Sequence, residues 1–395
     1  MSTPRRSPDA TPVVVACCRT VIGRAHAERG LFRHVRGDEL AAAVIRAAVE
    51  RSGVDPATID DVILGVTQQR GELGGNAART AALLAGLPFS AAGTTVNRLC
   101  GSGLEAIARA AQAIAAGAEN VHVVGGVEHM QHLPMDSAID IHPQVHARSS
   151  KGMLSMGLTA EHLAAAHRIS RQAQEAYALD SHRKASAAAD AGLFDDELVT
   201  VLGHDEAGGL VAATRDQSIR GDTSLEAMAV LEPAFLPKLG TVTAATSAPV
   251  SDGAAALVVM QEAEAARQGL VPLARIVATA VAGVAPAAMG TGPIAATLKL
   301  LARTGIALAD IDLVELNEAF AAQAIHCIDA LRFDRARVNV RGGSLAIGHP
   351  LGASGARIAT TLLHALATDG KRLGLATMCI GLGQGIAVLF ERVES

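Results

Sequence analysis

Three side chains stand out for the chemistry they could do together: Cys100, His349 and Cys379. Cys100 lies in Asn97-Arg98-Leu99-Cys100-Gly101-Ser102-Gly103, where the extended stretch Thr94 to Val96 gives way to an Ala-rich helix. Free N–H groups at a helix start stabilise negative charge. That position predicts a lowered thiol pKa and a nucleophilic thiolate. A free cysteine is more commonly a small buried apolar side chain, so position alone is weak evidence. His349 sits among five glycines in the fourteen residues Gly342 to Gly355, a density that needs tight turns or close backbone approach. It could accept a thiol proton; the bland alternative is one local hydrogen bond. Cys379 opens Cys379-Ile380-Gly381-Leu382-Gly383-Gln384-Gly385, whose three alternating glycines suggest backbone N–H groups aimed at an anion or an oxyanion. A disulfide to Cys100 or a plain core thiol is its alternative. Asn317 and Glu318 follow an apolar run, the strand end where open α/β sheets place their sites; Asn317 could equally cap a helix.

A repeat relates these segments. A constant shift of 252 positions carries Asn97 to His349 and Ser102-Gly103 to Ser354-Gly355. The same shift pairs Ala57, Ile59, Asp60, Val62 and Leu64 with identical residues at 309, 311, 312, 314 and 316. The chain therefore reads as two copies of one unit. Packed face to face, they could bring the Cys100 helix start against His349.

The elements that must position these groups follow from periodicity. Val13 to Ala16 and Val62 to Val66 read as buried strands. Asp38 to Ser52 reads as a helix capped by Asp38 and stopped by Gly53. Gly103 to Ala116 is a helix ended by Gly117, and Val121 to Val124 a strand. This is the α/β pattern, with a sheet covered on both faces. The expected organisation is a disordered tail at 1–12, a first half at 13–128 plus about 240–265, an insertion at 129–239, and a second half at 272–395. The insertion reads as a surface excursion. Its His129, His132, His142 and His146, with Asp136 and Asp140, permit metal binding but match no zinc signature. Met135, Met153, Met156 and Met289 read as core fillers or as lining for an apolar pocket.

Composition removes other classes. Aromatic residues are scarce (no Trp, one Tyr, seven Phe) and the net charge is -5, which disfavours single-stranded nucleic acid. No apolar run reaches the ~18 residues of a membrane span, and the first twelve residues have no secretory signal pattern. Five cysteines without a Cys-x-x-Cys pair fit a reducing compartment, with cytoplasm the default. No phosphate-binding loop pattern occurs.

Taken together, the three glycine-rich segments resemble the thiolase family, over about residues 13–393. The pieces Gly125 to Met130 and Leu375 to Gly385 resemble its degradative 3-ketoacyl-CoA branch, the type that serves as β-subunit of bacterial fatty-acid oxidation complexes. The resemblance implies a five-layered αβαβα fold and cleavage of 3-ketoacyl-CoA by CoA through an acyl-Cys100. It implies His349 as thiol base, Cys379 as the acid at the enolate, and oxyanion sites at His349 with Asn317 and at the N–H groups of Cys100 and Gly381. CoA would be a cosubstrate, with no other cofactor or metal. Arg220 resembles the arginine that meets the CoA nucleotide, and Met156 and Met289 resemble pocket methionines. The family often has a serine where this chain has Ala248; Ser247 or Ser251 is a nearby substitute. Ser155 stands where short-chain biosynthetic members commonly have His, which points to degradation over acetoacetyl-CoA synthesis. A non-catalytic carrier or scaffold would have lost one of Cys100, His349 and Cys379. The resemblance also implies a homodimer or homotetramer, with the Val96 strand and the Cys100 helix near the interface, and a hydratase/dehydrogenase α-subunit as partner.

Overall fold

The computed structural model describes residues 7–135 and 139–393. Strand β1, Pro12–Thr20, is buried along its whole length. Its side chains alternate between two cores, Val13 and Val15 entering one and Val14 the other, until a bulge between Val14 and Ala16 shifts the phase and puts Cys17 with Val14 and Cys18 with Val13. That is the period of two expected of a strand covered on both faces. Helix α1, Gly37–Ser52, buries the stripe Leu40, Val44, Ile45, Ala48 and Val49, and stops at Gly53 with φ +67°. Asp38 is not its cap. The helix begins one residue earlier, after Arg36, and Asp38 pairs with the Arg36 guanidinium at 2.6 Å.

The first half continues through β2 (Asp61–Gly65), α2 (Ala77–Leu84), β3 (Ala92–Val96), α3 (Ser102–Ala116) and β4 (Val121–His129). Helices α4 (Met156–Ala166) and α5 (Arg171–Asp190) follow, and the sheet resumes with β5 (Ser251–Gln261). The second half runs β6 (Ala274–Gly283), α6 (Gly292–Thr304), β7 (Leu313–Leu316), α7 (Ala321–Leu331), α8 (Leu351–Thr368), β8 (Leu373–Ile380) and β9 (Gln384–Arg392).

The duplication is visible in the sheet. The first half orders its strands β1-β5-β4-β2, with β3 at the edge; the second orders them β6-β9-β8-β7. The parallel pair β2/β4 has its counterpart in β7/β8, and the antiparallel pairs β4/β5 and β1/β5 in β8/β9 and β6/β9. A two-residue pairing of β1 with β6 joins the halves. Helices α3 and α8 lie between the two half-sheets and share one core with both, including Leu104, Ile107, Ile358, Leu362, Val124 and Ile386. Helix α1 covers the outer face of the first half and α6 and α7 that of the second. The order of layers is thus helix, sheet, helix, sheet, helix.

The middle layer depends on two glycines one repeat apart. A Cβ on Gly103 would lie 2.5 Å from the Ala356 nitrogen, and one on Gly355 2.2 Å from the Leu104 nitrogen. The obstacles are backbone, so no side chain can yield. This crossing sets the two helix starts against each other.

Three further expectations are corrected. Residues 1–6 of the tail lie outside the described residues, but Pro8–Ala10 forms a 3-10 turn and Thr11 is buried. Apart from Leu198–Val199, which pairs with the end of β1, the sheet's strands resume at Ser251 rather than near Gly240. The inserted region is no surface appendage at its start or along α5. His129 is a buried residue of β4 whose Nε2 bonds the Phe32 carbonyl at 3.1 Å, and its ring stacks on His132 at 3.8 Å. Those two histidines and Glu72 could converge on a metal ion. Each ring nitrogen already has a protein partner: His129 Nδ1 accepts the His132 N–H, and His132 bonds Glu72 and the Arg33 carbonyl. The pair is a structural latch. Asp136 lies outside the described residues, and Asp140 and His142 are exposed. No helix among the described residues is long and apolar enough to cross a membrane.

Gly103→Ala should lower stability by roughly 1–3 kcal/mol through overpacking against backbone. Chemical denaturation checks it; an unchanged midpoint would mean the helices part without cost.

Candidate active site

Cys100 stands on a strained turn. Leu99 just before it adopts φ +46°, a left-handed conformation that costs an L-residue ~1–2 kcal/mol. The turn is braced from both sides. Leu99 N–H donates to Asn97 Oδ1 at 2.8 Å, and Asn97 Nδ2 to the Thr67 carbonyl at 3.1 Å. Ser102 Oγ accepts the Arg98 N–H and donates to the Leu99 carbonyl. Gly101 follows because a Cβ there would lie 2.5 Å from Ile380. The thiol therefore projects from the tip of α3 into the seam between the halves.

His349 is held by the same device one repeat later. Ser354, the counterpart of Ser102, donates to the Pro350 carbonyl at 2.9 Å. Its single proton is thereby committed, so at 2.6 Å it must accept from His349 Nδ1–H. That leaves the Nε2 lone pair facing outward. Asn317 Nδ2 approaches Nε2 at 3.4 Å, and Ser344 Oγ donates to Asn317 Oδ1 at 2.6 Å, which fixes the amide's orientation. Asn317 is not a helix cap: α7 starts four residues later, after Phe320, with no side-chain cap. Glu318 anchors the loop, accepting from Tyr177, Ser181, Asn339 and the Leu345 N–H. Two of those donors, Tyr177 and Ser181, come from α5 of the insertion.

Cys379 is the last residue but one of β8, opposite Gly385 of β9, and Gly381 lies in the tight turn between the two strands. Cys100, His349, Cys379 and Gly381 line one cavity of about 100 Å³. Met130, Met135, Met156, Met289, Phe320 and Leu351 supply its apolar wall, with Ala248, Pro249, Val250 and Ala319. All five described cysteines are free thiols, so no disulfide joins Cys100 and Cys379. Met156 opens α4, which places the insertion in the wall as well. Larger hollows of about 520 and 340 Å³, beside Leu239 and beside Tyr177, contain none of these reactive groups.

The other sequence candidates lie elsewhere. Ser251 is buried, with its hydroxyl donated to the Pro249 carbonyl and accepting the His349 N–H at 3.1 Å. It braces the histidine loop, and the structure does not leave it open to a ligand. Ser247 donates to the Thr243 carbonyl and sits outside the cavity wall, which the neighbouring Ala248 enters. Arg220 is exposed, outside the wall, its N–H on His182 Nδ1.

The electrostatics correct one expectation. The Cys100 thiol is not acidified; it is pushed up to about 11. Burial is the largest cause and the Glu128 carboxylate adds to it, against the pull of the N–H groups of Gly381 and Cys100. Burial, with the nearby Arg357 charge, drives His349 down to about 3. Cys379 is raised well above its ordinary value, by burial first and then by Cys100. The resting site thus holds two protonated thiols and a neutral imidazole.

Glu128 escaped the sequence reading. Its buried carboxylate accepts the N–H groups of Thr67 and Gln68 from the first half and Gly352 at the start of α8. It clamps the two halves next to the site. Ser354 and Ser344 were also missed; the repeat register linking Ser354 to Ser102 is the signal that could have found the first.

The chain matches the family description "Thiolase, N-terminal domain" over residues 12–263 and "Thiolase, C-terminal domain" over 270–392. A protein of Shewanella loihica named 3-ketoacyl-CoA thiolase is 51% identical over 96% of this chain and 99% of its own length. One of the same name from Aliivibrio fischeri is 50% identical with the same coverage. The crystal structure of the Bacillus anthracis acetyl-CoA acetyltransferase superposes with a TM-score of 0.89 at 40% identity, over 97% of this chain and 99% of that one.

The two shifts make a pH prediction. Protonating His349 removes the acceptor, and its pKa lies below the ordinary imidazole value, so the acid limb moves down. Deprotonating Cys100 belongs to the basic limb, which moves up. kcat/KM should stay within about twofold from about two units above 3 to about two below 11. An acid limb at an ordinary imidazole value would show that His349 is solvated in the free protein.

Proposed function

The chain belongs to the thiolase family, and on that premise we propose that Cys100 carries the acyl group in thiolytic cleavage of 3-ketoacyl-CoA. The observation that carries the reading is the convergence of Cys100, His349 and Cys379 on one apolar cavity, each from a different segment of the duplicated fold.

Substrate entry brings the 3-keto carbon to Cys100. The thiol proton passes to His349 Nε2 as sulfur attacks, and the carbonyl electrons move to oxygen. On this reading the imidazolium N–H meets that oxygen, with the buried Asn317 amide beside Nε2 at 3.4 Å as the second donor, and oxyanion donors of this kind contribute about 2.7–4 kcal/mol each. Collapse breaks the C2–C3 bond, leaving an acyl-Cys100 thioester and an acetyl-CoA enolate. Cys379 gives its proton to C2, acetyl-CoA departs, and the proton on His349 restores Cys379. CoA then loses its thiol proton to His349 and attacks the acyl carbon. Cys100 leaves and takes that proton back. CoA enters as substrate, and the two half-reactions form a ping-pong cycle.

The methionine wall supports a degradative role on medium or longer chains. Met is flexible and apolar and adapts to ligands of varying length. Acetoacetyl-CoA synthesis is the alternative activity on the same residues. A second copy of the chain is the proposed partner. Among the described residues edge strand β3 pairs only with β2, and Phe89 just before it is 88% exposed. An unpaired edge of this kind invites β-pairing between chains.

Two experiments test the reading. Mass spectrometry after 3-ketoacyl-CoA is added without CoA should find an acyl adduct on Cys100 that CoA discharges; unchanged turnover in Cys100→Ala would overturn it. The ten-carbon substrate should be cleaved at least as fast as the four-carbon one, and a strong four-carbon preference would reject the degradative assignment.

A further inference from the structure

Arg357 is fully buried in α8, two turns beyond His349, yet it is absent from the cavity wall. Its Nη2 donates to Ser344 Oγ at 2.8 Å. Ser344 donates in turn to Asn317 Oδ1 at 2.6 Å, and Asn317 Nδ2 reaches His349 Nε2 at 3.4 Å. Each donor in this series has one direction open to it. Arg donates only, so the Ser344 proton must go to Asn317, and the Asn317 N–H must then face the histidine.

The rest of the guanidinium is poorly paired. Nε and Nη1 find no hydrogen-bond acceptor among the described residues, and the Glu315 carboxylate stands 3.6 Å from Nη1 with its Oε2 likewise unbonded. Arg19, another buried arginine of this region, shows what full pairing looks like. It binds Glu197 at 2.6 Å and Asp216 at 2.8 Å. A buried cation costs several kcal/mol unless it is paired. Arg357 is therefore the less well compensated charge, and its one good hydrogen bond points at the reaction centre. Burial pushes the Glu315 carboxyl up to about 8, and the Glu197 and Asp216 carboxylates that also act on the guanidinium are already bonded to Arg19.

We propose that Arg357 is a positioning residue for the reaction, acting through Ser344 to orient and polarise the Asn317 amide that meets the oxyanion. Hydrogen bonds in series strengthen one another inside a protein, so a cation at the far end makes the terminal N–H a better donor. The proposal rests on the role given above to Asn317, and its test separates the two.

Steady-state kinetics should be run on Asn317→Ala, Ser344→Ala, Arg357→Lys and the charge-removing pair Glu315→Gln/Arg357→Met, which avoids stranding one buried ion. Rates are expressed per active site, counted as acyl-Cys100 formed. Ser344→Ala and the charge-removing pair should each lower kcat by about 10- to 100-fold, below the 10²–10³ expected for direct loss of an oxyanion donor in Asn317→Ala. KM should stay within about twofold, because the contact matters in the transition state rather than in the bound substrate. Arg357→Lys should recover part of the rate. Adding Ser344→Ala to the charge-removing pair should cost little more, as for residues in one series. If Asn317→Ala is slow while the Ser344 and Arg357 variants turn over normally per active site, the relay is wrong and the Asn317 role stands. If Asn317→Ala itself turns over normally, the role fails and takes the relay with it. A fall confined to the number of active sites would make Arg357 purely structural and overturn the proposal.

Discussion

The crossing of α3 and α8 at Gly103 and Gly355 is the constraint from which the site follows. Each helix places a backbone nitrogen where the other's Cβ would be. Two helices can come this close only where both lack side chains. Because the glycines are repeat mates, the contact is close to self-symmetric. The residues at each helix start, 97–101 and their repeat mates 349–353, are then delivered to the same seam. Around this contact the two half-sheets share one core with both helices, so no movement of one tip is cheap. Glu128 adds a polar clamp at the same place by binding N–H groups from both halves.

Burial explains why the resting thiol is protonated despite its place at a helix start. A helix terminus ordinarily returns ~0.3–1 kcal/mol to a charge. The shift of Cys100 from 9.0 to about 11 is two units, roughly 3 kcal/mol in the opposite direction. Desolvation wins by that comparison. The same burial that raises the thiol lowers the imidazole, so the pair rests neutral on both sides. A neutral Nδ1–H imidazole keeps its one acceptor, the Nε2 lone pair, toward Asn317 Nδ2 at 3.4 Å, and in the reaction proposed above it takes the thiol proton there. The apolar cavity thus favours a proton transfer over a standing ion pair, and Ser354 sets its direction by holding the tautomer.

Much of this was legible in the sequence, for reasons that can be given residue by residue. The 252-residue shift predicted that His349 would occupy the Asn97 slot, and both side chains do anchor the loop before their helix. Strand alternation and the stops at Gly53 and Gly117 are local properties, and the structure keeps them. What could not be read was long-range commitment. Ser251 offered a free hydroxyl as a sequence, but in the fold it is spent on Pro249 and His349. His129 looked like a loop residue because β4 runs five residues beyond its evident apolar core, Val121 to Val124. Asp38 falls inside the first turn of α1, where it accepts from the Arg36 guanidinium instead of capping the helix. The thiol pKa was misjudged because the dipole of a helix is visible in a sequence and the depth of a cavity is not.

The differences between the copies explain how a duplicated fold makes an asymmetric site. Where the first half has edge strand β3, the second has the short helical turn Ser344–Ile347. That exchange removes a strand from one sheet edge and supplies Ser344 next to Asn317 instead. Where the second half turns tightly through Gly381 to Gly383, the first opens into the long insertion before β5. The insertion returns α5 to brace Glu318, and with it the Asn317 loop. It also sends Met156 into the wall opposite Gly381, whose added Cβ would sit 3.6 Å from the Met156 sulfur. So the excursion in one copy packs against the parts of the other that carry its chemistry. Two identical units would offer two identical helix tips; it is the excursion and the lost strand that let one tip hold a thiol and the other an imidazole.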